Sequence, residues 1–189
     1  NSRSDNVNTR NLVVDILLAV TRDGAFSHIA IRDVLDKYRY LPKQDRAFIT
    51  RLSQGTLERM IEMDAIINQF SKTKVKKMKP VIAAILRSGV YQLKYMDSVP
   101  DSAACNEAVK LTVKRGFGGL KGFVNGVMRT IARNMDQIRY PDAEKEPVRY
   151  LSVKYSVPEW LVQRFTEQYG AEACERSLVA YLMPHPTSV

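Results

Sequence analysis

Two cysteines and two histidines are all that this 189-residue chain offers toward thiol or metal chemistry. Cys105 and Cys174 have no ligand-spaced companion, which excludes a zinc knuckle and a disulfide framework and points to a reducing, cytoplasmic setting. His28 and His185 are equally solitary, so no bound metal is expected. Long apolar runs are missing too. None approaches the ~18–20 residues of a bilayer span, and the opening Asn1-Ser2-Arg3-Ser4-Asp5 has no signal-peptide core. No membrane partner is expected.

Catalytic signatures are absent as well. Gly116-Phe117-Gly118-Gly119-Leu120-Lys121-Gly122 is rich in glycine, but Lys121 stands where GxGxxG needs its third glycine. No strand precedes it, and no Gly-Lys-Ser/Thr follows. It reads as an interhelical turn. Cys105 falls on the apolar face of a helix and reads as a small core residue. No catalytic residue and no cofactor-binding residue is assigned in this chain.

What the chain does have is positive charge, unevenly spread. Its net charge is +9. Residues 1–134 hold 23 Lys and Arg against 12 Asp and Glu, and residues 135–189 hold 6 against 8. The excess therefore belongs to the first stretch alone and predicts an anionic partner for it. The change in composition also marks a boundary. Residues 1–134 are expected to form one domain, 135–147 a linker through the polar Asp142-Ala143-Glu144-Lys145-Glu146-Pro147, and 148–189 a helical connector.

Apolar spacing has helical period nearly throughout, which predicts an all-α fold of about seven helices before the connector. Val13, Ile16, Leu17 and Val20 make one stripe. Ile31, Val34, Leu35 and Tyr38 make a second, with Ser27 placed to cap it. Pro42 opens a segment that reads as two helices or one bent helix. Pro80 starts a helix whose Ile82, Ile85, Leu86, Gly89 and Leu93 share a face. Pro100-Asp101-Ser102 reads as a break and cap before Ala104, Cys105, Ala108 and Leu111. In the connector, Pro158-Glu159-Trp160 reads as a helix start and Gly170 as a stop. A last helix carries Leu178, Tyr181 and Leu182 before Pro184 and Pro186. This apolar tail needs a surface to cover Trp160, Leu161, Phe165, Leu178 and Leu182.

The stretch 120–131 is the most telling. Leu120, Phe123, Val124, Val127, Met128 and Ile131 form one stripe that runs straight through Asn125-Gly126, a pair that elsewhere signals a hairpin turn. Helix wins because the period continues. Gly126 costs ~1 kcal/mol relative to Ala in a helix, so close approach of another backbone is expected there, and Asn125 is expected to find hydrogen-bond partners at a helix contact.

The cations cluster. Lys72, Lys74, Lys76, Lys77 and Lys79 crowd eight positions before Pro80. Arg3 and Arg10 flank the first helix, and Lys110, Lys114, Arg115 and Lys121 bracket the glycine turn. Cations at helix ends and loops reach phosphates while the helices stay packed. Phe117 either offers a stacking face for an unpaired base or folds back on the core.

In order and spacing, Ile85-Leu86-Arg87-Ser88-Gly89-Val90-Tyr91-Gln92-Leu93, Pro100, Asn106-Glu107-Ala108-Val109 and Phe123-Val124-Asn125-Gly126-Val127-Met128-Arg129 resemble the NusB-like domain over roughly residues 8–134. Tyr150-Leu151-Ser152-Val153-Lys154-Tyr155-Ser156-Val157-Pro158-Glu159-Trp160-Leu161-Val162, with Tyr169-Gly170, resembles the stretch that joins such a domain to the catalytic part of RsmB/Sun-type 16S rRNA cytosine-C5 methyltransferases. The chain departs from that pattern at Ala180-Tyr181-Leu182-Met183-Pro184, where a more Asn-rich run is usual, and at Cys105, where an aliphatic residue is usual.

The resemblance implies a seven-helix RNA-binding fold and ribosomal RNA as partner. It also implies a methyltransferase domain in cis, beyond residue 189, that uses S-adenosylmethionine and a pair of cysteines. The RNA-binding positions assigned on charge and resemblance together are Arg3, Arg10, Lys114, Arg115 and Lys121. Lys74 and Lys76, from the lysine run, form a rival cluster favoured by charge density. Phe123 is the more marginal candidate because it also lies on the apolar stripe, and Arg87, Asn106 and Asn125 are assigned to helix contacts. The alternative function is a NusB-type antitermination or scaffold protein that binds RNA together with a ribosomal protein.

Overall fold

The computed structural model describes residues 7–183, and among these every regular element is helical. They fall into two units, residues 1–138 and 139–189.

The first unit holds α1 (Thr9–Thr21), α2 (Ser27–Lys37), α3 (Lys43–Glu58), α4 (Met60–Phe70), α5 (Pro80–Tyr95), α6 (Asp101–Lys114) and α7 (Lys121–Arg133). Short 3-10 turns lie at Val75–Lys77, Gly118–Leu120 and Met135–Gln137. The centre is α5, which packs against α1, α3, α4, α6 and α7. Its sequence is apolar almost all round, and nine of its residues, from Ile82 to Gln92, are buried, as expected of a helix with neighbours on most sides. Pro80 occupies its first turn, where the missing N–H has no partner to lose. Met135 and Ile138 still pack against this core, so the chain leaves the first unit only after residue 138.

The segment opened by Pro42 resolves into two helices. Arg59, at φ −107° and ψ 20°, separates α3 from α4. Its guanidinium reaches the buried Glu62 at 2.7 Å, and the Tyr95 hydroxyl donates to the same carboxylate. Arg87 forms a bidentate pair with Asp64 at 2.6 and 2.8 Å, clamping α5 to α4.

Three local expectations are corrected. Ser27 does not cap α2. Phe26 is the N-cap residue, and no side chain caps the helix. Ser27 already lies inside the first turn, one place beyond the position from which a side-chain oxygen receives the free N–H groups. The same shift applies to α6, where Pro100 is the N-cap residue. There Asp101 acts through its charge near the positive end of the helix dipole. Gly126 is exposed, and a methyl group added there would meet nothing within 4 Å. Close approach occurs at other glycines. A Cβ at Gly55 would lie 2.1 Å from Tyr91 Oη, and one at Gly89 would lie 2.7 Å from Met128 Sδ.

Asn125 does find a partner. Arg129 donates to Asn125 Oδ1 at 3.0 Å and to Asn106 Oδ1 at 2.9 Å, tying α7 to α6.

The second unit holds α8 (Pro147–Tyr155) and α9 (Glu159–Leu182). Ser156 turns the chain with φ 53°, and Gly170 breaks α9 with φ 79°. Leu151, Val157, Val162, Cys174 and Leu178 form its core, with Leu161 and Phe165 packed against it. Lys154 Nζ and the Tyr155 hydroxyl both reach Glu175, at 2.8 and 2.6 Å, and join α8 to α9. Of the residues expected to need cover, Leu178 is buried here, whereas Trp160 and Leu182 stay exposed.

Candidate nucleic-acid interface

The lysine run forms the connection between α4 and α5, and its shape is fixed mainly by uncharged residues, with one bond from Lys74. Val75 is buried and anchors the loop. Its N–H donates to Asn68 Oδ1 at 2.9 Å, and Lys74 Nζ donates to the Asn68 carbonyl at 3.0 Å. The Ser71 hydroxyl donates to the Thr73 carbonyl at 2.6 Å. Lys72, Lys74, Lys76, Lys77 and Lys79 are all exposed on this frame. Positive charge is thus displayed on a hydrogen-bonded backbone, so little backbone entropy remains to be lost on binding.

The glycine turn connects α6 to α7. Gly116 has φ +85°, a left-handed conformation that glycine adopts without strain. Phe117 is partly buried and packs against the core. The turn ends at Leu120, whose side chain is 36% exposed, and α7 begins at the exposed Lys121. This glycine segment joins two helices with no strand entering it, so it is neither a Rossmann nor a Walker phosphate loop.

These two connections, far apart in sequence, meet. Thr73, Lys77, Met78 and Lys79 on one side and Leu120 and Phe123 on the other line an open cleft of about 260 Å3, with the buried Ile82 at its floor. Lys77 and Lys79 of the lysine run line this cleft, and Lys121 follows its lining residue Leu120 in the chain. Its charge is of one sign: no Asp or Glu occurs from residue 65 to 96 or from 108 to 135. That signal is present in the sequence, whereas the convergence is not. The larger cavity of about 540 Å3 between α2 and α3 is bordered by Arg32 and Arg46 together with Asp36 and Glu58. Its mixed charge makes it the poorer match to a polyanion.

The remaining candidates have other surroundings. Arg3 lies outside the described residues. Arg10 donates to Gln92 Oε1 at 2.8 Å, and its guanidinium sits 5.1 Å from the centre of the Phe48 ring. Burial pushes its pKa down, against a smaller opposing pull from Glu107. Arg115 donates to Asn11 Oδ1 at 2.7 Å and to Asp15 at 2.7 Å. Both arginines thus bond other helices, Arg10 from α1 to α5 and Arg115 from the end of α6 to α1. Lys114 is exposed beside them.

Cys105 and Cys174 are buried, and burial pushes the Cys105 thiol pKa up, away from the reactive thiolate. Among the described residues no group of three or more His, Cys, Asp or Glu could hold a metal ion, and no helix is long and apolar enough to cross a membrane.

Known proteins resemble this chain both in sequence and in fold. The probable ribosomal RNA small subunit methyltransferase B of Bacillus subtilis is 36% identical over 175 residues, 93% of this chain and 38% of that protein. The chain thus spans about two fifths of that relative's length. The crystal structure of PH0851 aligns with a TM-score of 0.70 at 16% identity, covering 95% of this chain and 40% of that one. A chain from the crystal structure of antitermination factors NusB and NusE in complex with dsRNA aligns with a TM-score of 0.61 at 21% identity, covering 66% and 93%. At these identities the two structures speak for the fold. The NusB family model matches residues 7–133, which run from the approach to α1 through α7, and the chain belongs to the NusB family.

Proposed function

We propose that this chain is the RNA-binding accessory region of an S-adenosylmethionine-dependent rRNA (cytosine-C5) methyltransferase, working in the cytoplasm. In this role it holds substrate rRNA for a catalytic domain outside residues 1–189. The observation that carries the reading is the reach of the match. Similarity to the Bacillus subtilis methyltransferase covers 93% of the chain and so extends past the first unit into the second. A NusB-type antitermination protein accounts for the first unit and leaves α8 and α9 without a counterpart. The RNA-binding part is supported by the acid-free, lysine-lined cleft and by the dsRNA held in the NusB–NusE complex of the same fold.

In this reading Lys76, Lys77, Lys79 and Lys121 neutralise phosphates, and the packed helices hold them in register. Ala at Lys76, Lys77 and Lys121 together should weaken rRNA binding. It should also lower the slope of log affinity against log salt by roughly 0.7 for each phosphate of a single strand that is no longer neutralised. In a full-length methyltransferase carrying this region, the same triple change should raise KM for rRNA and leave kcat unchanged, since it removes binding and not chemistry. An unchanged KM and an unchanged salt slope would refute the assignment.

A further inference from the structure

We infer that the outer face of α2 binds a second copy of this chain, the two helices running antiparallel about a twofold axis. Only Ala30 of α2 is buried. The helix is nevertheless held in place, because Arg46 of α3 donates to the Leu35 and Tyr38 carbonyls at 2.6 and 3.2 Å and ties down its last turn. What α2 displays is two parallel rows. Ile31 and Leu35 make an apolar row, which Leu57 of α3 continues across the cavity of about 540 Å3. Arg32 and Asp36 make a charged row beside it, and both are exposed. Residues four apart lie one above the other on a helix, about 6 Å along its axis, so each row faces one way.

The pattern is its own complement. A twofold axis beside Asp33 and Val34 reverses the order of the rows, so Arg32 meets the partner's Asp36 and Asp36 meets the partner's Arg32. Ile31 and the partner's Leu35 are centred on the same place. So are the exposed aromatics that flank the helix, Phe26 at 71% and Tyr40 at 53% exposure. Three unlike pairs thus share one centre, as an isologous contact requires. Phe26 stands on this face, since its ring stacks on that of His28, a cavity-lining residue, with centroids 6.2 Å apart. Asp33 does not line the cavity, so like charges are not forced together at the axis. Asp36 also pairs with Arg39 at 3.5 Å, but both side chains are largely exposed and such a pair is easily exchanged. A foreign helix would have to reproduce this order of charged and apolar residues, whereas a second copy already carries it. One helix of 11 residues on each side puts the contact at the low end of specific interfaces, below roughly 1,200 Å2, so association is expected to be weak and concentration-dependent.

The test is sedimentation velocity on the 189-residue chain from roughly 1 to 300 μM, where a monomer–dimer equilibrium is expected. Arg32→Glu alone, or Asp36→Arg alone, brings like charges together across the axis and should weaken self-association at least about tenfold. An equimolar mixture of those two variants should recover dimers of the original strength, because each supplies the charge that the other has lost. The double variant Arg32→Asp with Asp36→Arg exchanges the two signs within one helix and should dimerise by itself. Phe26→Ala should weaken association by about tenfold, the scale of truncating one aromatic anchor. Recovery in the mixture shows at the same time that both single variants are folded.

A chain that stays monomeric throughout the range overturns the inference. So do dimers indifferent to both charge changes, which would place the contact on another face, and a loss that neither the mixture nor the double variant repairs. Assemblies that keep growing beyond two copies would overturn it as well, since a contact closed by a twofold axis stops at the dimer.

Discussion

A single substitution, glycine to alanine, should have opposite signs at two helical positions. At Gly55 the new methyl carbon falls 2.1, 2.2 and 2.8 Å from three atoms of Tyr91, where ordinary contact begins at 3.4 Å. The phenol cannot simply swing aside, because its ring rests against Tyr95 with centroids 5.1 Å apart. Overpacking of this kind costs about 1–3 kcal/mol. Alanine returns ~1 kcal/mol of helix propensity, which leaves Gly55→Ala destabilised by up to about 2 kcal/mol. At Gly126 nothing lies within 4 Å, so only propensity acts and Gly126→Ala should be stabilised by about 0.5–1 kcal/mol. Urea unfolding followed by far-ultraviolet circular dichroism reads the difference as a shift of midpoint at constant slope. The single tryptophan, Trp160, belongs to the second unit, and its fluorescence follows that unit separately. If Gly126→Ala loses as much stability as Gly55→Ala, the reasoning from local space is wrong.

Other outcomes can be checked as directly. Arg87→Met should destabilise the first unit by about 1–3 kcal/mol by leaving Asp64 unpaired at a partly buried site, and Asp64→Asn in the same chain should recover part of the loss, as a double-mutant cycle would record. Hydrogen bonding to Lys154, with a further bond from Tyr155, holds the Glu175 carboxyl below its usual range. Its stabilising contribution is therefore present above the ordinary glutamate pKa and is lost as pH falls through the lowered folded value. Because the pair is well exposed, its worth is that of a surface ion pair, about 0–1 kcal/mol. Trp160-monitored melts across acidic pH should flatten in Glu175→Gln, and an unchanged acid profile would remove the pair from the account. The 189-residue chain should transfer no methyl group from S-adenosylmethionine to RNA, and cytosine-C5 methylation by the purified chain would place catalysis within it.

Helix identity and order are legible in the sequence because apolar period is local. The stripes through Ile16, Ile85, Leu111 and Met128 all lie in the core. Helix starts read one residue out at Ser27 and Asp101, since capping depends on the dihedral angles of one residue and not on residue type alone. The glycines are harder. Gly55, Gly89 and Gly126 all sit in helices, and which of them faces a neighbour depends on how each helix is rotated against its partner, a tertiary property. The lysine run at 72–79 and the start of α7 look unrelated because nothing in a linear sequence reports that α5 brings the end of α4 beside the start of α7. Arg10 and Arg115 show the same limit: charge is visible, but Gln92 and Asn11, the acceptors that engage them, lie 82 and 104 positions away.

The way the lysine loop is held separates its address from its message. Asn68 and Val75 set where the backbone runs with help from Lys74, and the other exposed lysines contribute little to holding it there. Substitutions at such surface positions usually stay within about 0.5 kcal/mol in stability. The loop can therefore be rewritten from basic to neutral or acidic while the scaffold keeps its shape. Divergence among copies of this fold then has a cheap route: partner choice drifts through Lys72, Lys76, Lys77 and Lys79, while Asn68 and Val75 stay under the constraint of folding. A mutational scan of the loop would separate two kinds of position, one that alters what is bound and one that alters whether the protein exists.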